Sequence, residues 1–155
     1  MLQLVFVGFA AFTGSAKPNT TSVAPVAQQW EWCCDGKHLR NVQTGMCVDV
    51  AAGSSKSGTA IATYDCVYPP GATQDWEFKG TKLVNPQTSK CLDVAGGHSA
   101  DGTKIQLFDC EPAAQDWEWY IDGKHLRNTQ TGKCLDIPGG NTGKGVQLQI
   151  FDCIF

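Results

Sequence analysis

Eight cysteines and three evenly placed aspartates are the residues of this chain that could do chemistry. Six of the cysteines fall into pairs, Cys47 with Cys66, Cys91 with Cys110 and Cys134 with Cys153, each separated by 19 positions. An aspartate stands two residues after the first member of each pair: Asp49, Asp93 and Asp136. Thiols can bind zinc or close disulfides. The short C-x2-C spacing of zinc sites is missing, so the six read as three intra-repeat disulfides, Cys47–Cys66, Cys91–Cys110 and Cys134–Cys153. A loop of this size closed by a disulfide contributes about 3 kcal/mol in the chain-entropy description. Carboxylates can act as acid and base on a glycosidic bond, but that needs two environments that drive two pKa values apart. Asp49, Asp93 and Asp136 repeat one environment three times. His38 and His125 occupy the same place in a duplicated segment, DGKHLRN, without a nucleophile or metal ligand beside them, and read as hairpin residues. The sequence thus offers no catalytic set, no metal site and no cofactor.

The elements that must position these residues come in threes. DGKHLRN stands at 35–41 and at 122–128, with GTKLVNPQTSKC at 80–91 in the corresponding place between them. Each unit continues through Cys-[Val/Leu]-Asp-[Val/Ile], a glycine-rich loop and a segment ending [Tyr/Phe]-Asp-Cys. Gln-x-Trp also occurs three times, at Gln28-Gln29-Trp30, Gln74-Asp75-Trp76 and Gln115-Asp116-Trp117. Seventeen glycines, seven prolines and no helical period point to short strands joined by turns. Twelve are expected: 28–32, 38–41, 47–50, 61–66, 74–78, 82–85, 91–94, 105–110, 115–120, 125–128, 134–137 and 146–153. Asp-Gly at 35–36 and 122–123 predicts type I′ hairpins. A four-stranded unit cannot bury its own apolar face, so three share one core about an axis. The third unit stops before its own Gln-x-Trp and the spare copy lies at Gln28. The reading is a permuted closure, in which Gln28–Trp32 pairs beside Val146–Cys153. Cys33 and Cys34 stand where the third unit has Tyr120 and Ile121, and a vicinal bridge, free thiols and an intermolecular link are all open to them.

Residues 1–16 form an apolar run too short to span a bilayer and followed by small residues, which reads as a secretory signal cleaved after about Ala16, although it carries no Lys or Arg. A buried strand is the rival reading of this run, and the rival of the permuted closure is a fragment or truncated gene model in which LQLVF at 2–6 is the remains of an earlier unit. A Pro/Thr/Ser-rich linker spans 17–26, with Asn19-Thr20-Thr21 a glycosylation acceptor in a secreted eukaryotic chain. Twelve Lys and Arg against fifteen Asp and Glu, with no basic run, argue against a nucleic-acid partner.

Over residues 27–155 the recurrence of Cys-[Val/Leu]-Asp, the Gly-x-x-[Ile/Leu] strand ending in Asp-Cys and Gln-x-Trp in register resembles the ricin-type lectins and family 13 carbohydrate-binding modules. The resemblance implies an all-β fold, the β-trefoil, with repeats of about 36–78, 80–119 and 123–155, and 27–32 completing the third. On that reading each Gln-x-Trp supplies an indole to the core and an amide to the Asp of its unit, through Gln28, Gln74 and Gln115.

The resemblance also implies extracellular carbohydrate binding, to a galactose- or xylose-type glycan. A carboxylate accepts bonds from adjacent pyranose hydroxyls while an aromatic ring covers the C–H face. In the family these are the Asp of Cys-x-Asp and the aromatic two residues before the second cysteine, helped by a Gln two residues earlier still. The first unit offers Asp49 and Tyr64, with Ala62 in place of the Gln; the second Asp93, Gln106 and Phe108; the third Asp136, Gln149 and Phe151. The family often places Asn before the Gln of Gln-x-Trp, where this chain has Thr73, Ala114 and Ala27, a departure that weakens the case for galactose. Thr73 keeps a hydroxyl, Tyr68 is a candidate for added stacking in the first unit, and His98 and Glu111 in the second. The alternative to a multivalent, metal-independent lectin is a secreted trefoil that binds proteins through its loops.

Overall fold

The structure, a computed structural model, describes residues 25–68, 73–111 and 114–155. The expected signal at 1–16, the segment LQLVF and the glycosylation acceptor lie outside the described residues, as does the linker apart from Pro25 and Val26, which open a 3-10 turn at Pro25–Gln28. Thirteen strands follow in chain order: β1 Trp30–Cys33, β2 His38–Asn41, β3 Cys47–Val50, β4 Thr59–Tyr64, β5 Glu77–Lys79, β6 Lys82–Asn85, β7 Lys90–Val94, β8 Ile105–Phe108, β9 Trp117–Trp119, β10 Leu126–Asn128, β11 Cys134–Asp136, β12 Val146–Gln147 and β13 Gln149–Phe151. No α-helix occurs among the described residues, and no helix there is long and apolar enough to cross a membrane.

Antiparallel ladders join β2 to β3 and β3 to β4 in the first unit, β6 to β7 and β7 to β8 in the second, and β10 to β11 and β11 to β13 in the third. The strands that precede the second cysteines touch in a cycle. β4 pairs with β8, Lys104 at the head of β8 bridges Gln149 of β13, and β12 pairs with β4. That cycle closes the sheet on itself and leaves it no edge there. Three hairpins, β1–β2, β5–β6 and β9–β10, cover one end. This is the β-trefoil.

The core is built in matching triplets, as a threefold repeat requires. Trp30, Trp76 and Trp117 are buried, and each indole N–H donates to a carbonyl of a Cys-x-Asp strand: Leu135 at 3.0 Å, Val48 at 3.1 Å and Leu92 at 3.0 Å. Around them sit Leu39, Leu83 and Leu126, then Val50, Val94 and Ile137, then Ile61, Ile105 and Leu148. Satisfying the indole N–H lets so large a ring be buried without a desolvation penalty.

Four expectations are corrected. Gln28–Trp32 does not pair beside Val146–Cys153. β1 ladders with β2 and reaches the third unit through a bridge from Gln29 to His125 and a bond from Trp30 N–H to the Lys124 carbonyl, 2.8 Å. The strand edges of 146–151 are already taken by β4, β8 and β11. The twelfth expected strand breaks at Leu148, where the chain changes partner from β4 to β11. The strands before the second cysteines end at Tyr64, Phe108 and Phe151, so each Asp-Cys lies beyond its ladder. The Asp-Gly hairpins are not type I′, which needs both residues left-handed. Only Gly36 and Gly123 have positive φ, while Asp35 and Asp122 instead accept the backbone N–H of Lys37 and Lys124 at 3.0 and 2.9 Å. Each carboxylate thereby fixes a four-residue loop.

Candidate functional site

The ladder register places each Cys-x-Asp aspartate opposite a defined residue of the next strand: Asp49 faces Ala62, Asp93 faces Gln106 and Asp136 faces Gln149. Side chains opposite one another in an antiparallel pair lie close enough to interact. Gln106 Nε2 donates to Asp93 Oδ2 at 2.8 Å and Gln149 Nε2 to Asp136 Oδ2 at 2.8 Å. Ala62 has no amide to give.

The second amide comes from Gln-x-Trp. Gln74 Nε2 donates to Asp49 Oδ2 at 3.0 Å, Gln115 Nε2 to Asp93 Oδ1 at 3.1 Å and Gln28 Nε2 to Asp136 Oδ1 at 3.2 Å. Each of these amides also ties down the chain after its second strand. Gln74 donates to the Asp65 carbonyl and accepts from Val67 N–H; Gln115 does so with Asp109 and Glu111, and Gln28 with Asp152 and Ile154. All three glutamines are buried, so their part is to hold the carboxylate and the segment beyond it.

The three carboxylates differ in access. Asp49 is partly exposed and lines an open cleft of about 290 Å³ with Tyr64, Thr73, Ala52 and Gly53. Asp93 is 7% exposed and lines a larger cleft of about 480 Å³ with Gln106, Phe108, Glu111 and Gln130. Asp136 is fully buried, and Phe151 packs against the core. Burial raises the Asp93 carboxyl above the ordinary carboxylate range, against the hydrogen bonds from Gln106 and Gln115 and with the Glu111 charge. Burial lifts Asp136 to about 6, opposed by the amides of Gln149 and Gln28. Removing a carboxylate from water disfavours its charged form.

Both clefts have a floor made by the same turn. Ala51–Gly53 and Ala95–Gly97 follow their Cys-x-Asp strands as 3-10 turns whose second residues, Ala52 and Gly96, are left-handed at φ 53 and 64. Ala52 is the only alanine in this role; Gly96 and Gly139 fill it in the other units at no steric cost.

Of the added candidates, Thr73 and Glu111 line the clefts. Tyr68 does not reach the Asp49 cleft as expected: its ring lies 5.7 Å from that of His38 and its hydroxyl meets Cys34 Sγ. The chain after Cys66 is turned that way by the Val67 to Gln74 bond. His98 sits over the Gly96 turn, where a Cβ on Gly96 would meet its ring at 2.7 Å. Gln130, which comes from the third unit and bonds Ala114 N–H beside Asp93, was not anticipated. Its signal was the repeated Asn-x-Gln-Thr, at Asn41, Asn85 and Asn128.

The eight cysteines form four bridges: Cys47–Cys66, Cys91–Cys110, Cys134–Cys153 and the vicinal Cys33–Cys34. His38 and His125 bond Asp35 and Asp122 through Nδ1, at 3.3 and 2.6 Å, within their hairpins.

A family profile described as the ricin-type beta-trefoil lectin domain matches residues 21–154. Among solved structures, the designed threefold-symmetric protein ThreeFoil superposes with a TM-score of 0.68 at 24% identity, over 75% of this chain and 88% of that one. An exo-β-1,3-galactanase from Clostridium thermocellum gives 0.67 at 22% identity, over 79% of this chain but only 28% of that one. The Macrolepiota procera ricin B-like lectin, solved with lactose, gives 0.60 at 24% identity, over 81% and 86%. No curated protein sequence matches significantly. With three Gln-x-Trp amides each gripping a Cys-x-Asp carboxylate, and a profile that spans nearly the whole chain, this protein belongs to the ricin-type β-trefoil lectin family.

Proposed function

We propose that the protein is a secreted, non-catalytic lectin that binds a galactose- or xylose-type glycan through up to three shallow clefts, without a metal. On this reading residues 1–16 are a signal, 17–26 a linker and 27–155 the lectin domain. The observation that carries the reading is the pairing, in one open cleft, of an amide-held carboxylate with an aromatic ring: Asp93 with Phe108, and Asp49 with Tyr64. The acid accepts hydroxyl bonds and the ring covers the C–H face of a pyranose. Asp136, Gln149 and Phe151 repeat the residue set in the third unit, where the carboxylate is fully buried. Lactose bound to the Macrolepiota lectin supports the same ligand class.

Catalysis is disfavoured by the grip on the acids. Both oxygens of Asp93 accept amide N–H groups, and Asp49 and Asp136 repeat the Gln-x-Trp contact in place of a second acid or base of different character. The sulfurs of Cys33, Cys47 and Cys66 cluster within 4.8 Å but are committed to disulfides, which removes them as metal ligands.

A glycan array with free-sugar competition, run with and without EDTA, tests the proposal. Retention that galactose or xylose abolishes and EDTA does not is expected. A folded protein that retains no glycan overturns it in favour of loop-mediated protein binding.

A further inference from the structure

The first unit departs from the threefold pattern most sharply at its hairpin, where Cys33 and Cys34 replace Tyr120 and Ile121 of the third unit. Their bridge does not stand alone. The sulfurs of Cys33, Cys47 and Cys66 all lie within 4.8 Å of one another, so the vicinal bridge abuts Cys47–Cys66. The other two long bridges have no such neighbour, because Cys33 and Cys34 occur once and the chain has eight cysteines in all.

The surroundings favour entry by a thiol. Cys34 is exposed while Cys33 and Cys47 are buried, which marks Cys34 as the sulfur that an outside thiol meets first. Cys34 is also left-handed at φ 77, a conformation that costs a residue with a Cβ. His38 stands directly across the ladder from Cys33, and the Tyr68 hydroxyl rests on Cys34 Sγ and 3.7 Å from Cys33 Sγ.

We infer that the two bridges form one four-sulfur exchange site, in which a small thiol that opens Cys33–Cys34 causes Cys47–Cys66 to change partners. The thiolate R–S⁻ attacks Cys34 Sγ, forms R–S–S–Cys34 and expels Cys33 as a thiolate. Cys33 attacks the neighbouring Cys47 Sγ, forms Cys33–Cys47 and expels Cys66. Cys66 is the more exposed member of its pair, so its thiolate is better solvated as a leaving group. A second R–SH resolves the mixed disulfide to R–S–S–R and leaves Cys34 reduced. In total two R–SH are oxidised, two electrons and two protons enter the protein, and Cys34 and Cys66 end as thiols. Release of Cys66 loosens the 65–67 segment that Gln74 binds, and through Gln74 the hold on Asp49.

The test uses the full chain with limiting reduced glutathione, acid quenching, alkylation and mass mapping of unreduced peptides. A Cys33–Cys47 peptide with Cys34 and Cys66 alkylated is expected before any loss of Cys91–Cys110 or Cys134–Cys153. Alkylation of Cys33 and Cys34 with Cys47–Cys66 intact overturns the inference, as does loss of all three long bridges in parallel. Cys34→Ser, which leaves Cys33 as a thiol in place, should yield Cys33–Cys47 and a free Cys66 without any reductant; an intact Cys47–Cys66 there is equally fatal. In Cys33→Ser/Cys34→Ser, Cys47–Cys66 should lose its head start and be reduced no faster than the other two bridges.

Discussion

Gln28 Nε2 donates to Asp136 Oδ1 across 3.2 Å, although 108 positions separate the two residues. The same amide donates to the Asp152 carbonyl at 2.9 Å, and its Oε1 accepts from Ile154 N–H at 2.9 Å. One side chain thereby completes the third unit, doing there what Gln74 and Gln115 do within theirs.

Gln28→Ala should therefore cost as much as Gln74→Ala or Gln115→Ala, about 2–3 kcal/mol, because each leaves buried polar groups without partners. Denaturant unfolding of the three variants measures this. Deleting residues up to Trp32 removes a core indole as well and should abolish cooperative unfolding; a truncated chain that melts like its parent would show that Gln28 and Trp30 are not needed to complete the third unit.

Asp136 should make the native chain less stable as pH rises from about 4 to about 6. Its folded pKa is raised from 3.8 to about 6 by burial, so the native state keeps a proton that the unfolded chain has lost. The group's contribution is complete below the unfolded value and gone above the folded one, about 2–3 kcal/mol in all. Urea unfolding across this window, with Asp136→Asn as reference, isolates the effect, since other carboxylates titrate alike in both. Parallel stability curves for parent and variant would mean that Asp136 is ionised in the fold.

Removing a long bridge, as in Cys134→Ser/Cys153→Ser, should destabilise by about 3 kcal/mol. Cys33→Ser/Cys34→Ser should change stability far less, because a bond between adjacent residues closes no loop and restrains little of the unfolded chain. Thermal unfolding compares the two.

Phe108 lines the Asp93 cleft and is not part of the buried core cluster. Phe108→Ala should weaken sugar at that cleft by roughly fivefold, about 1 kcal/mol of ring contact, with little loss of stability. On the proposed reading each cleft alone should bind sugar near millimolar, about −4 kcal/mol. Retention on an immobilised polysaccharide should therefore fall more steeply than the single-site constant, since avidity of about 10²–10⁴ depends on several clefts engaging together. Calorimetry with free sugar beside column retention separates the two quantities, and equal falls in both would argue for a single working cleft.

Repetition made the fold readable. Three copies of Cys-x-Asp and Gln-x-Trp in register announce the indoles, the bridges and the amide-to-carboxylate bonds, because each unit must solve the same packing problem. What differs between copies was harder to read. Ala62 in place of Gln was visible, but that Asp136 is fully buried while Asp49 is partly exposed is not written in the repeated Cys-x-Asp and Gln-x-Trp motifs. The hairpin turns were misjudged because an aspartate carboxylate can capture a backbone N–H and so spare its own residue a left-handed φ. Tyr68 was misplaced because nothing local shows that the segment after Cys66 is drawn toward the hairpin.

The Gln28 clamp also bears on when the chain can fold. A ribosome adding about 5–20 residues each second needs on the order of ten seconds to pass from Gln28 to Ile154, 126 positions later. Through most of that time Trp30 lacks the Leu135 carbonyl and the unit that it completes. β1 can pair with β2 as soon as both emerge, while the Gln28 side chain waits for Asp136, Asp152 and Ile154. Closure is then a long-range, slow step, and a chaperone that shields Trp30 would find its client in the nascent chain, not in the finished barrel.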